Sequence, residues 1–144
     1  MSESFSQNLL GGLRLAVGLL SLTSPDLAAR AFGIDPDVSS GWVTRLFGSR
    51  ELALAAALLA APGDQVPTVA RIGACIDTAD LASSVVEFAR GRISVYSLVS
   101  GGGGAALFAL LGLAAARRAV QAEPTNRAQD DAGADVGLAG HDRR

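Results

Sequence analysis

Residues 45–87 have the sequence RLFGSRELALAAALLAAPGDQVPTVARIGACIDTADLASSVVE, in which charged residues interrupt long apolar runs of mainly Ala, Leu, Val and Ile. Burial of an unpaired charge in such surroundings is very costly. Charged groups there are therefore expected to pair with one another, to face a polar cavity or to take part in chemistry. The stretch predicts a buried ionic cluster drawn from Arg45, Arg50, Glu51, Arg71, Asp77, Asp80 and Glu87.

The whole chain of 144 residues has the length of one domain. It is 49% hydrophobic, mainly through Ala, Leu and Gly, and no stretch alternates for long at period two, which favours helices. We predict an all-α, four-helix transmembrane bundle within residues 1–120, with helices at about 6–22, 41–61, 66–90 and 93–117. A short interfacial helix is predicted between the first two spans, and residues 121–144 are predicted to form a disordered polar tail.

A run of 24 residues without charge, from Ile93 to Ala116, is the clearest indication of a membrane. It contains four consecutive glycines, each of which weakens a helix in water by about 1 kcal/mol relative to Ala. Membrane helices tolerate glycine better. The alternative is a water-soluble bundle with this helix at its centre, but the other helices carry little polar surface for that arrangement.

The third predicted helix carries its carboxylates on one face, because Asp77, Asp80 and Glu87 fall within roughly 80° of one another around its axis. Like charges on one face repel unless cations neutralise them. The first helix offers Arg14 on a face of small and polar residues, and the four helices together contain four arginines and four acids when the terminal residues Arg90 and Arg117 are left out. This equality predicts a structural ion cluster of Arg14, Arg45, Arg50, Glu51, Arg71, Asp77, Asp80 and Glu87.

Several classes of function are disfavoured by composition. The net charge of -2 and the absence of a basic block with aromatic residues argue against nucleic-acid binding. Cys75 is the only cysteine and is predicted to be buried in an apolar helix, and His141 is the only histidine, so we expect no metal site and no cofactor. All 12 basic residues are Arg, which is typical of a GC-rich, actinobacterial genome.

Three functional hypotheses remain open. The first is a small accessory or interaction subunit of the membrane, in which the charged cluster is structural; the sequence favours this non-enzymatic role. The second is a membrane enzyme of isomerase or cyclase type that uses a buried carboxyl as general acid, with Asp77, Asp80 and Glu51 as candidate catalytic residues. The third is a small proton or solute carrier.

The helical pattern also predicts the location of the protein and its binding partners. We expect a multi-pass protein of the cell membrane in contact with the lipid bilayer, with both termini cytoplasmic, since Arg117 and Arg118 follow the last span. Small residues allow close helix contact, so a membrane protein partner or a second copy is expected to bind through Gly101, Gly104, Ala105 and Gly112.

The segment RLFGSREL at 45–52, followed by Arg71 and by DTAD at 77–80, resembles a family of small bacterial four-helix integral membrane proteins of unknown function. In that family an Arg-x-x-Gly-x-Arg-acidic element opens the second helix and an Asp-x-x-Asp element lies in the third. The resemblance covers residues 9–116, although Ala55 stands where the family has Gly. It implies a membrane location and a structural role for Arg50, Asp77 and Asp80, and it implies no activity.

Overall fold

The computed structural model describes residues 3–37, 41–117 and 120, with side chains from Phe5 onward. Within these ranges the prediction of an all-helical chain is confirmed, and no strand is present. The predicted tail at 121–144 lies outside the described residues. The five helices are α1 (Glu3–Thr23), α2 (Pro25–Ala31), α3 (Gly41–Ala60), α4 (Val66–Ala89) and α5 (Val95–Arg117).

Helices α1 and α3 run antiparallel and lie in close contact. Their backbones approach each other because Gly18 and Gly48 meet at the crossing. A Cβ atom on Gly48 would lie 2.9 Å from the Gly18 carbonyl oxygen and 2.8 Å from the Cβ atom of Ser21. The small and polar face predicted for the first helix is therefore its contact surface with α3.

One end of the bundle is a packed core, which we call the closed end. There the Gln7 side-chain amide donates a hydrogen bond to the Leu58 carbonyl oxygen at 2.7 Å, joining the start of α1 to the end of α3. A Cβ atom on Gly112 would lie 3.0 Å from the Ala70 carbonyl oxygen, so α4 and α5 also pack closely. The core of the closed end consists of Leu10, Leu58, Val66, Ala70, Ala115 and Ala116.

Helix α2 lies at the opposite end of the bundle and is tied to the start of α5. Gly33, just after α2, has a φ angle of 69°, which glycine adopts without the strain that other residues would suffer. Its carbonyl oxygen accepts a hydrogen bond from Ser97 Oγ at 2.8 Å. The Tyr96 hydroxyl donates to the Ala31 carbonyl oxygen at 3.3 Å. These two bonds fix the segment after α2 against α5.

Helix α5 contains a π-helical segment, Leu98–Gly102, within its run of glycines. Of the four glycines, only Gly102 packs tightly, since an added Cβ atom would lie 3.2 Å from the Cβ atom of Ser84 on α4. An added Cβ atom on Gly101, Gly103 or Gly104 would meet no atom of the described chain within 4 Å. The glycines are therefore only partly a packing surface, and open space adjoins the rest.

Large apolar side chains cover much of the outside of the bundle. Judged by length and composition, one helix of the described chain, α5, could cross a membrane. Helices α1, α3 and α4 contain charged residues, which lower their mean hydropathy, so the predicted four-span architecture is not confirmed. The exposed apolar residues that do not line the cavity described below include Leu9, Leu19, Leu20, Leu46, Leu59, Ile72, Val85, Val86, Val99 and Leu110.

Cys75 is exposed on α4, so the prediction of a buried thiol is wrong. The reason is its rotational position on the helix. Asp77 points into the bundle, and two residues along a helix correspond to a rotation of about 200°, which places Cys75 on the opposite face. An apolar sequence around a cysteine does not show which face of the helix is buried.

Replacement of Gly48 by Leu is expected to destabilise the protein by about 1 to 3 kcal/mol, because the new side chain would press on the backbone of α1. The matched control is Gly12→Leu on α1, where an added Cβ atom meets nothing of the described chain within 4 Å. Thermal unfolding of the purified variants measures both effects. Equal melting temperatures for the two variants would contradict the assignment of this crossing.

Candidate functional site

Arg14 lies at the centre of a buried ionic cluster that joins the four long helices. From α1, its Nη1 donates to Glu51 Oε2 on α3 at 2.7 Å, and its Nη2 donates to Asp77 Oδ2 on α4 at 2.5 Å. Its guanidinium carbon lies 4.9 Å from the ring centre of Phe108 on α5. Arg14 is 2% exposed, and Glu51 and Asp77 are each 1% exposed. A single side chain thus contacts three other helices.

Arg50 extends the cluster along α3 and α4. Its Nη1 donates to Asp80 Oδ1 at 3.0 Å and its Nη2 donates to Asp80 Oδ2 at 2.6 Å, a bidentate pair. Nη2 also donates to Glu51 Oε1 at 3.0 Å, so Glu51 bridges the two arginines. The Arg50 guanidinium carbon lies 4.9 Å from the ring centre of Phe47. Unlike Arg14, the Arg50 and Asp80 side chains are partly exposed, at 32% and 36%.

The cluster is not electrically balanced in the way that the sequence suggested. Glu51, Asp77 and Asp80 contribute three carboxylates, whereas Arg14 and Arg50 contribute two guanidinium groups. When all five groups are ionised, the net charge is -1, in place of the predicted equality of four against four.

Arg45 and Arg71 lie outside the cluster, so the prediction that they belong to it is wrong. Both side chains are exposed, and Arg45 Nε donates to the Leu22 carbonyl oxygen at 3.4 Å. The cause is helical geometry. At 100° per residue, Arg45 is rotated by about 140° from Arg50 and Arg71 by about 120° from Asp77. Neither can share the face of its inward-pointing neighbour.

Glu87 also lies outside the cluster, although it is on the same face of α4 as Asp77 and Asp80. Its partners are local: Arg90 Nη1 lies 3.0 Å from its Oε1, and Arg92 Nη1 lies 3.2 Å from its Oε2. Both arginines belong to the turn after α4. The predicted face is correct, but Glu87 is too far along the helix to reach Arg14 or Arg50.

A partly open cavity of about 820 Å³ lies beside the cluster. Arg50, Glu51, Asp77 and Asp80 line one part of it, and Ser83, Ser84 and Glu87 continue this polar strip along α4. The remaining wall is mainly apolar and comes from α1, α2, α3, α5 and the connections after α2 and α4. Its apolar lining residues are Leu13, Val17, Ala29, Phe32, Ile34, Val43, Phe47, Ile93, Ala105, Leu107 and Phe108.

The cavity occupies the half of the bundle opposite the closed end. On α1, Leu10 belongs to the packed core, whereas Leu13 and Val17 line the cavity, and Arg14 lies between these two regions. Phe32, after α2, packs edge-to-face against Phe47 of α3 with ring centres 5.6 Å apart. The ionic cluster therefore forms the floor of the cavity, and the segment around α2 forms part of its rim.

One carboxylate oxygen of the cluster accepts no hydrogen bond within the described part of the chain. Both oxygens of Glu51 and both oxygens of Asp80 accept hydrogen bonds from arginine, and Asp77 Oδ2 accepts from Arg14. Asp77 Oδ1 has no hydrogen-bond partner within the described part of the chain, and the Asp77 side chain lines the cavity. This oxygen can accept a hydrogen bond from a molecule in the cavity.

The partner-binding role predicted for four small residues of α5 stays a prediction. Gly101, Gly104 and Ala105 line the cavity, and Gly112 packs against α4. Sequence reasoning missed the cavity itself and the two aromatic rings beneath the arginines. The first half of α5 is rich in small residues. They leave open space where the facing helix does not pack against them, and this composition was the feature of the sequence that could have indicated a cavity.

The chain was compared with protein-family models, with curated proteins and with solved structures, and none of them matches it. The resemblance to the small bacterial membrane protein family therefore stays a prediction. The interpretation of the site depends on its geometry alone.

Replacement of Arg14 by Met is expected to destabilise the protein by about 3 to 5 kcal/mol, because Asp77 would be left buried without its ion-pair partner. Arg71→Met, at an exposed position outside the cluster, serves as the control. A second substitution, Asp77→Leu, is expected to restore part of the lost stability to the Arg14 variant. An Arg14 variant as stable as wild type in thermal unfolding would show that the cluster does not hold the helices together.

Proposed function

We propose that this protein is a small integral membrane protein whose four long helices enclose a binding cavity for a small amphipathic molecule. The observation that carries the proposal is the inverted distribution of polarity. The most buried side chains include Arg14, Glu51 and Asp77, whereas large apolar residues cover the outside. A protein surrounded by water arranges these classes of residue the other way round.

Helix length supports four spans. Helices α1, α3, α4 and α5 contain 21, 20, 24 and 23 residues, and about 20 residues cross the hydrocarbon core of a bilayer. The charges of the ionic cluster lower the hydropathy of α1, α3 and α4, but they point inward and do not meet lipid. Arg45 and Arg71 lie near the starts of their helices, where a long side chain reaches the membrane surface.

For the orientation we propose cytoplasmic termini. Arg117 ends α5 on the same side as the start of α1, and the opposite side carries Asp26, Asp35 and Asp37 in the connection after α1. Arg90 and Arg92 also lie on that opposite side, contrary to the rule that basic residues are enriched in cytoplasmic connections. A reporter enzyme active only outside the cytoplasm, fused to the C-terminus, is expected to be inactive, and an active fusion would reverse the orientation.

The cavity supports a binding role in addition to a structural one. Ligand pockets commonly have volumes of about 300 to 1,000 Å³, with mainly apolar walls and a few polar groups that orient the ligand. The cavity of about 820 Å³ has this character, with its charged cluster on the floor and further polar groups along one face of α4. An ionic cluster that only held helices together would not require an open space beside it.

The accessory-subunit hypothesis is the second proposal. It is supported by the exposed apolar side chains of Ile72, Val85, Val86 and Phe88 on α4, which could contact a partner helix in place of lipid. A stoichiometric membrane protein recovered with the chain from native membranes in mild detergent would favour it. The enzyme and carrier hypotheses both require a bound small molecule, so the test of the cavity is also the first test of each.

Cys75 provides a native reporter of the membrane location. It is exposed near the middle of α4, so a bilayer around the helix would shield its thiol from water. We expect a membrane-impermeant maleimide to leave intact or opened vesicles unlabelled and to react after denaturation in dodecyl sulfate. As a control, Asp64→Cys places an exposed thiol in the turn between α3 and α4, where labelling of opened vesicles is expected. Rapid labelling of Cys75 in vesicles, or recovery of the protein entirely in the soluble fraction, would overturn the membrane proposal.

Replacement of Gly104 by Leu is expected to fill part of the cavity without a steric conflict, since Gly104 lines the cavity and has open space at its Cβ position. Gly103→Leu is the matched control, because Gly103 is equally open, is exposed and does not line the cavity. Native mass spectrometry from a non-ionic detergent is expected to show an adduct of a bound amphiphile on wild type and on the Gly103 variant. The adduct should be lost from the Gly104 variant; identical spectra for all three proteins would contradict a binding role.

A further inference from the structure

We infer that the molecule bound in the cavity is an amphipathic amine that carries one positive charge, with its ammonium group donating a hydrogen bond to Asp77 Oδ1. This inference depends on the proposed function, in which the cavity is a binding site within the membrane. It adds the charge, the hydrogen-bonding group and the point of attachment of the ligand.

The charge of the ligand follows from the imbalance of the ionic cluster. When all five groups are ionised, three carboxylates meet two guanidinium groups, and one negative charge remains without a counter-charge. Arg50 is the one cation among the described residues that line the cavity, and it already contacts two carboxylates. Glu87 also lines the cavity, but Arg90 and Arg92 pair with it. An unbalanced charge is costly in surroundings of low polarity, and a monocation in the cavity would remove this cost.

The attachment point follows from the hydrogen bonds. Asp80 is the most exposed acid of the cluster, but both of its oxygens are held by the bidentate contact with Arg50. Each of the two oxygens of Glu51 accepts a hydrogen bond from a different arginine. Asp77 Oδ1 is the remaining acceptor of the cluster within the described chain, on a side chain that is 2% exposed and lines the cavity. An N–H group is the complement of such an oxygen, which favours a primary or secondary amine over a quaternary ammonium ion.

The rest of the ligand follows from the walls. Above the cluster, the cavity is lined by aliphatic and aromatic side chains from α1, α3 and α5, including Leu13, Val17, Val43 and Leu107. These surfaces fit a hydrocarbon chain or ring system and provide no second charged partner. The ligand class is therefore an apolar body with a single amino group at one end.

The experiment compares three probes that share a chain of 12 carbons: dodecylamine, dodecanol and dodecanoate. Each is added in tritiated form at pH 7 to the full-length protein immobilised in a non-ionic maltoside detergent, and binding is read by scintillation proximity. The variants are Asp77→Asn, which keeps an oxygen acceptor but removes the charge, and Asp64→Asn in the exposed turn between α3 and α4 as a control. Gly104→Leu reports whether a bound probe occupies the cavity.

We expect dodecylamine to bind wild type at least tenfold more tightly than dodecanol, and dodecanoate to bind most weakly. The Asp77→Asn variant should lose this preference, with amine affinity reduced to that of the alcohol, whereas Asp64→Asn should retain it. Equal affinities of wild type for amine and alcohol, both reduced by Gly104→Leu, would overturn the inference and leave the binding cavity in place. Failure of every probe to bind would overturn the inference together with the proposed function. The comparison of probes on wild type decides the question even if Asp77→Asn does not fold.

Discussion

The burial of one arginine constrains the whole structure. Arg14 is placed among four helices where water does not reach, and an ionised guanidinium group is tolerated there only if carboxylates surround it. Glu51 and Asp77 meet this requirement from two different helices, and Phe108 covers the guanidinium from a third. The relative positions of the long helices are consequently coupled, because displacement of any of the three would remove a partner of the same side chain.

Close packing and ionic pairing act at different levels of the bundle. At the closed end, small residues let the backbones approach, and stability depends on van der Waals contact between short side chains. In the middle, the ion pairs set the spacing and register of the helices. Beyond them the cavity lies between the helices, while α1 and α3 stay in contact at Gly18 and Gly48 and hydrogen bonds join the end of α2 to the start of α5. The ionic cluster thus marks the boundary between a packed half and an open half.

The sequence was sufficient to predict that the chain is helical and that Arg14, Arg50, Glu51, Asp77 and Asp80 meet, because charges in apolar helices have few stable alternatives to mutual pairing. It did not decide which charges would be excluded, although helical rotation already set Arg45 apart from Arg50 and Arg71 apart from the carboxylates. Arg45 and Arg71 were included because they restored equality of charge, yet their rotation around the helix axes places them on outer faces. The cavity was equally hidden, since the same small residues in α5 allow close packing at Gly112 and leave open space at Gly104. The distinction depends on tertiary geometry, which a local pattern does not contain.

The ionic cluster and the packed core close the cavity toward one end of the bundle. A molecule that reaches Asp77 from the side of α2 finds its way forward blocked by Arg14 and then by the layer of Leu10, Leu58 and Val66. Passage to the closed end would require the guanidinium to leave both carboxylates and the helices around the core to part. The architecture suits retention of a molecule at one end of the bundle far better than conduction along its axis.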